Sequence, residues 1–267
     1  MTDVTQHDIV AAIRSLGVTP GDLLIAHTSL SSFGHVAGGA RTVAEALIES
    51  VSPEGTAFVP TFNYGSLPYD PKTTPSLTGA VTDAFWRLPG AVRSAHPTHA
   101  FAGFGPAAAE VLEGHDKVPT LGRGSPLWRL WERNAWVLLA GCDHRANSMI
   151  HVAEEAAEAP YLDRTRVAHV LGSGNKVTDV TVRRPGCSSA FNIVDGPLRR
   201  ANNVREGKAG RSRLTLVRSA AVVAVAMELL RRDSAALLCI RPDCDRCAWA
   251  RQRISERNSE RSSSRSD

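Results

Sequence analysis

The sequence predicts an α/β fold in a single domain, and three observations support this class. With 267 residues, of which 43% are apolar, the chain can bury one large core. An apolar run at 23–26 precedes a loop rich in hydroxyls and glycine, and a helical pattern follows at about 42–50. This order of strand, loop and helix is typical of α/β proteins. No internal repeat divides the chain, so we expect one domain over residues 1–250.

The first predicted element is a helix near the N-terminus. Thr5 is a suitable N-cap, and apolar residues recur at helical spacing from Ile9 to Leu16. Gly17 can end the helix, because glycine readily adopts the left-handed conformation that follows many helix ends. Pro20 and Gly21 then predict a turn into the strand at 23–26.

The remaining elements follow from the same periodicity rules. Strands are predicted at 56–60, 100–104 and 136–141, and helices near 78–87, 106–113, 126–132, 147–157 and 212–232. Two connections, 64–76 and 163–204, are long for a compact domain. Because such loops often bind ligands or act as lids, we expect the substrate to enter there.

Charge and composition exclude several classes of protein. The formal charge of +4 is reduced to about +2 without residues 251–267, a Ser/Arg-rich tail that we expect to be disordered. No basic residues alternate with aromatics, so we expect no nucleic-acid partner. The most apolar stretch, 220–230, is about half of the ~20 residues that a membrane span needs. Five scattered cysteines do not suggest disulfides, and we expect a cytoplasmic protein without a membrane segment.

The segment 27–39 combines hydroxyls and glycines between a strand end and a helix start. Exposed N–H groups and the positive helix end favour an anion there, such as the diphosphate of coenzyme A. An ordinary polar turn remains an alternative, since neither GxxxxGKS/T nor GxGxxG is present. The segment 93–101 places His96 and His99 before a strand; because no third ligand is adjacent, we expect no metal.

The segment 143–158 carries the strongest sign of chemistry. On a helix, His151 shares a face with Ser148 at i−3 and with Glu154 and Glu155 at i+3 and i+4. Either carboxylate could orient the imidazole and raise its basicity, although a solvated surface histidine is the alternative. Four acids against Arg145 alone give the segment a local charge of −3, which suits a cationic amine.

Eight segments in order resemble the antibiotic N-acetyltransferase family, whose best-known members are aminoglycoside 3-N-acetyltransferases. The resemblance extends over about residues 5–240. The matching segments are His27-Thr28-Ser29-Leu30 with Gly38-Gly39, Gly55-Thr56, Pro60-Thr61-Phe62, Asp70-Pro71 with Thr73-Thr74-Pro75, Gly79-Ala80, Arg93-Ser94-x-His96-Pro97-Thr98-His99, Ser125-Pro126-Leu127, and Asn147-Ser148-x-x-His151-x-Ala153-Glu154.

The resemblance implies a mixed sheet flanked by helices, distinct from the GNAT fold, and direct transfer from acetyl-CoA to an amine in a ternary complex. His151 matches the catalytic histidine, with Ser148, Glu154 and Glu155 around it. The implied acetyl-CoA contacts are His27, Ser29, Leu30, Ser31, Ser32, Gly34, Val36, Arg93, Ser94, His96, His99 and Phe101. The implied amine contacts are Tyr64, Asp70, Asp143, Arg145, Asn147 and Glu158. No metal is implied, and the protein is expected to be a monomer or a homodimer.

Two departures from the family pattern affect these expectations. Ser148 replaces the usual threonine and keeps the hydroxyl, whereas Arg145 stands where the family commonly has an acid. The acceptor could therefore be an amine other than an aminoglycoside. Two remote alternatives are a serine hydrolase, from the elbow-like pattern at 186–190, and a zinc-binding interaction module built on Cys239, Cys244 and Cys247.

Overall fold

The computed structural model describes residues 3–263. Its strands are β1 (Leu23–Thr28), β2 (Thr56–Pro60), β3 (Val92–Arg93), β4 (Phe101–Phe104), β5 (Trp136–Ala140), β6 (Thr165–Leu171), β7 (Val177–Arg183), β8 (Arg205–Ala209) and β9 (Ser212–Arg218). Its α-helices are α1 (Gln6–Ser15), α2 (Gly39–Val51), α3 (Ala80–Trp86), α4 (Ala108–Leu112), α5 (Pro126–Glu132), α6 (Ile150–Ala156), α7 (Asp195–Arg200), α8 (Ser219–Arg232) and α9 (Asp245–Ser263). Over this range no helix is long and apolar enough to cross a membrane.

Seven strands form a mixed sheet in the order β3-β4-β2-β1-β5-β9-β8. The central strands β2, β1 and β5 are parallel, and the flanking strands pair antiparallel. Strands β6 and β7 form a separate antiparallel hairpin. The carboxyl ends of the three parallel strands meet at one edge, which is where open α/β sheets bind ligands. The predicted fold class is confirmed.

The sheet is buried on both faces because side chains of a strand alternate in direction. Leu24 of β1 faces a core shared with α1, α2 and α3, whereas Ile25 faces a second core shared with α5, α6 and α8. In β5, Leu138 faces the first of these cores and Leu139 faces the second. Three layers therefore hold the central strands, and with them the carboxyl edge, in fixed positions.

The first helix begins as the sequence predicts. Thr5 accepts a hydrogen bond from the Asp8 amide, and the Asp8 carboxylate accepts one from the Thr5 amide at 2.9 Å, which completes a capping box. Gly17 follows the helix with φ of +96°. Local side-chain chemistry therefore determines this element.

Several predicted boundaries are wrong. The helix predicted over 212–232 is strand β9 followed by helix α8, because Leu214 and Leu216 belong to one core while Val217 belongs to the other. The connection predicted over 163–204 contains β6, β7 and α7. No periodic apolar run marks the hairpin, since its side chains are mostly exposed.

The predicted disorder of 251–267 is wrong for 251–263, which belong to α9. Cys247 and Ala250 are buried in a third cluster with Tyr161, so the helix has an apolar stripe despite its charge. Arg253 forms an ion pair with Asp163 at 2.6 Å, which ties the helix to the body of the protein. Residues 264–267 lie outside the described residues.

Candidate active site

A cavity of about 270 Å³ opens at the carboxyl edge of β1, β2 and β5. Its walls come from segments that are distant in sequence, and the lining includes His27, Thr28, Phe62, Tyr64, Thr78, His99, Cys142, Arg145, Ser148, His151, Gly186, Ser188 and Arg246. Polar groups therefore converge on one cavity, as in the ligand sites of α/β proteins.

His151 is held by a buried carboxylate. Its Nδ1 lies 2.6 Å from Oε2 of Glu154, whose side chain is only 1% exposed. The Tyr161 hydroxyl donates to the other oxygen of Glu154 at 3.1 Å, and burial raises the pKa of that hydroxyl. With Nδ1 engaged by Glu154, Nε2 is the nitrogen that His151 can offer to a ligand.

The structure decides which of the two predicted glutamates orients His151. Glu154 points into the protein, whereas Glu155 forms an ion pair with Arg183 at 3.1 Å. The two positions differ by one residue, which is about 100° of rotation around the helix. The predicted catalytic role of Glu155 is therefore corrected, since its carboxylate is engaged by Arg183.

Two further histidines of the cavity are neutral at physiological pH. Burial lowers the pKa of His27 to about 3, and burial with the neighbouring His96 lowers the pKa of His99 well below its ordinary value. Nε2 of His27 and the Thr28 hydroxyl are buried and lack a hydrogen-bond partner among the described residues. Unpaired buried polar atoms are rare in proteins, so these two can serve a ligand or ordered water.

The predicted coenzyme loop, 27–36, divides into two parts. The hydroxyls of Ser29 and Ser31 lie 3.3 Å apart in an exposed position. Leu30 packs against the core, and Ser32 donates to Ser212 at 2.8 Å. At the far end, Gly34 has φ of +86° and Val36 is buried beside Val4. Of this loop, His27 lines the cavity, while Ser29 and Ser31 offer accessible hydroxyls.

The predicted coenzyme contacts at 93–101 need correction. Arg93 donates to the hydroxyl and carbonyl of Thr61 at 3.0 and 2.9 Å and stacks on Trp86 at 4.5 Å. Its guanidinium thus braces the sheet edge and does not line the cavity. The local sequence could not reveal this structural role of Arg93, because an arginine that binds phosphate can occur in the same sequence pattern.

Its neighbours in this segment are also structural, with one exception. The Ser94 hydroxyl accepts from the Phe101 amide at 2.9 Å, and the Phe101 ring is fully buried. Nδ1 of His96 accepts from the His99 amide at 3.2 Å. His99 itself lines the cavity, and its ring packs 4.6 Å from Phe62.

Two of the six predicted amine contacts, Tyr64 and Arg145, line the cavity. Arg145 is paired with Asp143 at 2.8 Å, so its charge is balanced at the rim. Asn147 is corrected to a structural residue, since it is buried and its carbonyl accepts from the Met149 amide at 3.1 Å.

The other four predicted amine contacts, namely Asp143, Asn147, Asp70 and Glu158, do not line the cavity. Asp70 closes its own turn by accepting from the Lys72 amide at 2.9 Å. Glu158 is exposed beyond α6 with φ of +50°. Both carboxylates are therefore corrected to positions away from the cavity wall.

The sequence did not predict one part of the cavity wall, which is formed by Gly186, Ser188 and Arg246. Gly186 and Ser188 follow β7, and Arg246 comes from the first turn of α9. The sequence around Gly186 and Ser188 predicts only a hydrolase elbow, but the preceding strand, β7, belongs to the separate hairpin and not to the buried sheet. Arg246 lies inside the Cys244–Cys247 pattern, which was the one signal near it.

A solved acyltransferase shares this α/β fold. The solved aminoglycoside acetyltransferase AAC(3)-IVa apoenzyme matches with a TM-score of 0.86 at 34% identity, covering 94% of this chain and 98% of that chain. A histidine-to-alanine mutant of the same enzyme, solved with a gentamicin, matches equally well. The aminoglycoside N(3)-acetyltransferase IV of Salmonella sp is 35% identical over 229 residues, 85% of this chain and 87% of the relative.

The family profile described as aminoglycoside 3-N-acetyltransferase matches residues 25–231. The chain belongs to the aminoglycoside 3-N-acetyltransferase family. It is therefore an enzyme of the acyltransferase class.

Proposed function

We propose that this chain transfers an acetyl group from acetyl-CoA to an amine of an aminoglycoside antibiotic, directly and within a ternary complex. One observation carries the proposal: a histidine, His151, sits at the cavity with Nδ1 held 2.6 Å from the buried carboxylate of Glu154. An aliphatic amine with a pKa of about 10 is mostly protonated at neutral pH and cannot attack a thioester until it loses a proton.

In this mechanism Nε2 of His151 accepts the amine proton as the nitrogen attacks. The imidazolium that forms is stabilised by Glu154, which is already in hydrogen-bond contact with Nδ1. A buried carboxylate is well suited to this task, because charges interact more strongly where water is excluded. Tyr161 keeps the carboxylate in place by donating to its second oxygen.

The bond changes balance without an acyl-enzyme. The amine nitrogen forms a bond to the acetyl carbon, the carbon–sulfur bond breaks, and the sulfur leaves as thiolate. Of the two protons that the ammonium form of the amine loses, one passes to solvent before attack, and the other, taken up by His151 during attack, neutralises the thiolate. The negative charge that develops on the carbonyl oxygen requires hydrogen-bond donors, and Ser148 on the cavity wall can supply one.

The acetyl-CoA side of the cavity is assigned to the loop that follows β1. Ser29 and Ser31 present hydroxyls there, and α2, a helix of 13 residues, begins without a side-chain cap at Gly38. Free amides and the positive end of a helix stabilise phosphate oxygens. Acetyl-CoA is therefore expected to bind in the absence of the amine.

The Arg145–Asp143 pair makes the cavity rim compatible with an aminoglycoside. A free guanidinium at the rim would repel a polycationic acceptor. Its Nη2 instead lies 2.8 Å from Asp143, which also accepts from Asn192 at 2.9 Å. The paired charges cancel at longer range, so Arg145 does not exclude an aminoglycoside.

We expect purified enzyme to release free thiol from acetyl-CoA in the presence of gentamicin or apramycin. Monoamines of comparable basicity, assayed at the same concentration, serve as the matched control and are expected to give only background. Preferential turnover of monoamines would favour the second candidate, a non-aminoglycoside amine. Absence of thiol release with every amine would overturn the acetyl-transfer proposal.

A further inference from the structure

Four cysteines, one of them distant in sequence from the other three, meet in the third hydrophobic cluster. Cys187 follows β7, Cys239 follows α8, and Cys244 and Cys247 flank the start of α9. Their four sulfur atoms lie within 4.8 Å of one another, and the Cys187 and Cys239 sulfurs are 3.9 Å apart. All four thiols are free.

We propose that these four cysteines bind a structural zinc ion. A tetrahedral site with Zn–S bonds of ~2.3 Å places its sulfurs about 3.8 Å apart, close to the 3.9 Å between the sulfurs of Cys187 and Cys239. The C-x2-C spacing of Cys244 and Cys247 is typical of zinc sites. The sequence predicts no metal because Cys187, the ligand that completes the set, is separated from Cys239 by 52 positions.

The surroundings suit a site with net negative charge. A zinc ion with four thiolates carries a charge of −2, which neighbouring donors and cations stabilise. The Cys239 amide donates to the Cys247 sulfur at 3.3 Å, and the Ser189 amide donates to the Cys187 sulfur at 3.4 Å. Arg251 donates to the carbonyls of Cys239 and Cys247 at 2.7 and 3.4 Å, so a fixed cation lies beside two ligands.

The ion would also fix one wall of the active-site cavity. Gly186 and Ser188, which flank Cys187, line that cavity. Arg246, beside Cys247, lines it as well and donates to the Gly186 carbonyl at 3.3 Å. This consequence rests on the proposed function, whereas the metal site itself does not.

The test is elemental analysis of the full chain purified after growth with added zinc. One zinc per chain is expected in the wild type and in Cys142→Ser, the matched control that removes the one cysteine outside the cluster. Cys187→Ser and Cys244→Ser are expected to retain zinc only at background level. Titration of the wild type with an organomercurial is expected to release its zinc, so the outcome does not depend on whether the variants fold.

The site is expected to resist oxidation, and the four thiols should react freely only after zinc is removed. Wild-type protein without bound zinc, protein that carries iron instead, or a disulfide within the cluster would each overturn the proposal. Thiol release from acetyl-CoA is measured on the wild-type samples alone, because Cys142 lines the active-site cavity. Zinc-bound wild-type enzyme without activity would contradict the proposed function and leave the zinc site standing.

Discussion

Replacing His151 with alanine is expected to lower kcat for aminoglycoside acetylation by roughly 10²–10⁴-fold, the usual contribution of a general base. The substitution removes the cavity imidazole that the buried Glu154 carboxylate holds. His27 cannot replace it, because burial lowers the pKa of His27 to about 3 and makes it a poor proton acceptor. The effect should fall on kcat, since the lost interaction belongs to the transition state.

Calorimetric titration with acetyl-CoA, alongside steady-state kinetics, checks this expectation. His151→Ala should bind acetyl-CoA as the wild type does. His169→Ala is the matched control, because His169 pairs with Asp179 on the exposed hairpin. Retention of wild-type kcat in His151→Ala, or an equal loss in His169→Ala, would refute the role of His151.

Glu154→Gln is expected to lower kcat on the order of 10²-fold, because it removes the charge that stabilises the imidazolium while keeping the shape of the side chain. Glutamine can also donate to Nδ1 and so favour the wrong tautomer. Glu155→Gln provides the matched control, since Glu155 is engaged by Arg183 and is expected to change kcat little.

Both variants are compared by kcat and by thermal unfolding, because Glu154 is buried and also accepts from Tyr161. A loss of kcat in a folded Glu154→Gln protein supports its positioning role. Equal kcat values for the two variants would contradict the assignment of Glu154 over Glu155.

Local patterns predicted much of the fold. The first helix follows from the cap at Thr5, and the central strands follow from short, continuous apolar runs. Strand β9 was missed because it passes directly into α8, so two apolar patterns merge without a breaker at Ser219. The 251–263 part of α9 was missed because its few apolar contacts form only with residues that are distant in sequence.

Local patterns also predicted part of the candidate site. Helical spacing identified His151 and its two possible partners, but only packing distinguishes Glu154 from Glu155. The sequence of residues 93–99 could not reveal that Arg93 donates hydrogen bonds to Thr61 at the sheet edge, whereas His99 lines the cavity. The sequence likewise could not show that Cys187 lies beside the other three cysteines, because it is distant from them along the chain.

A single-turnover experiment tests direct acetyl transfer most directly. Enzyme in excess over radiolabelled acetyl-CoA is mixed with gentamicin, quenched, and separated into protein, acetylated antibiotic and acetate. We expect the label to pass to the antibiotic without appearing on the protein, and we expect Cys187 and Ser188 to remain unmodified by mass spectrometry. Label on either residue, or its release as acetate, would contradict direct transfer to the amine.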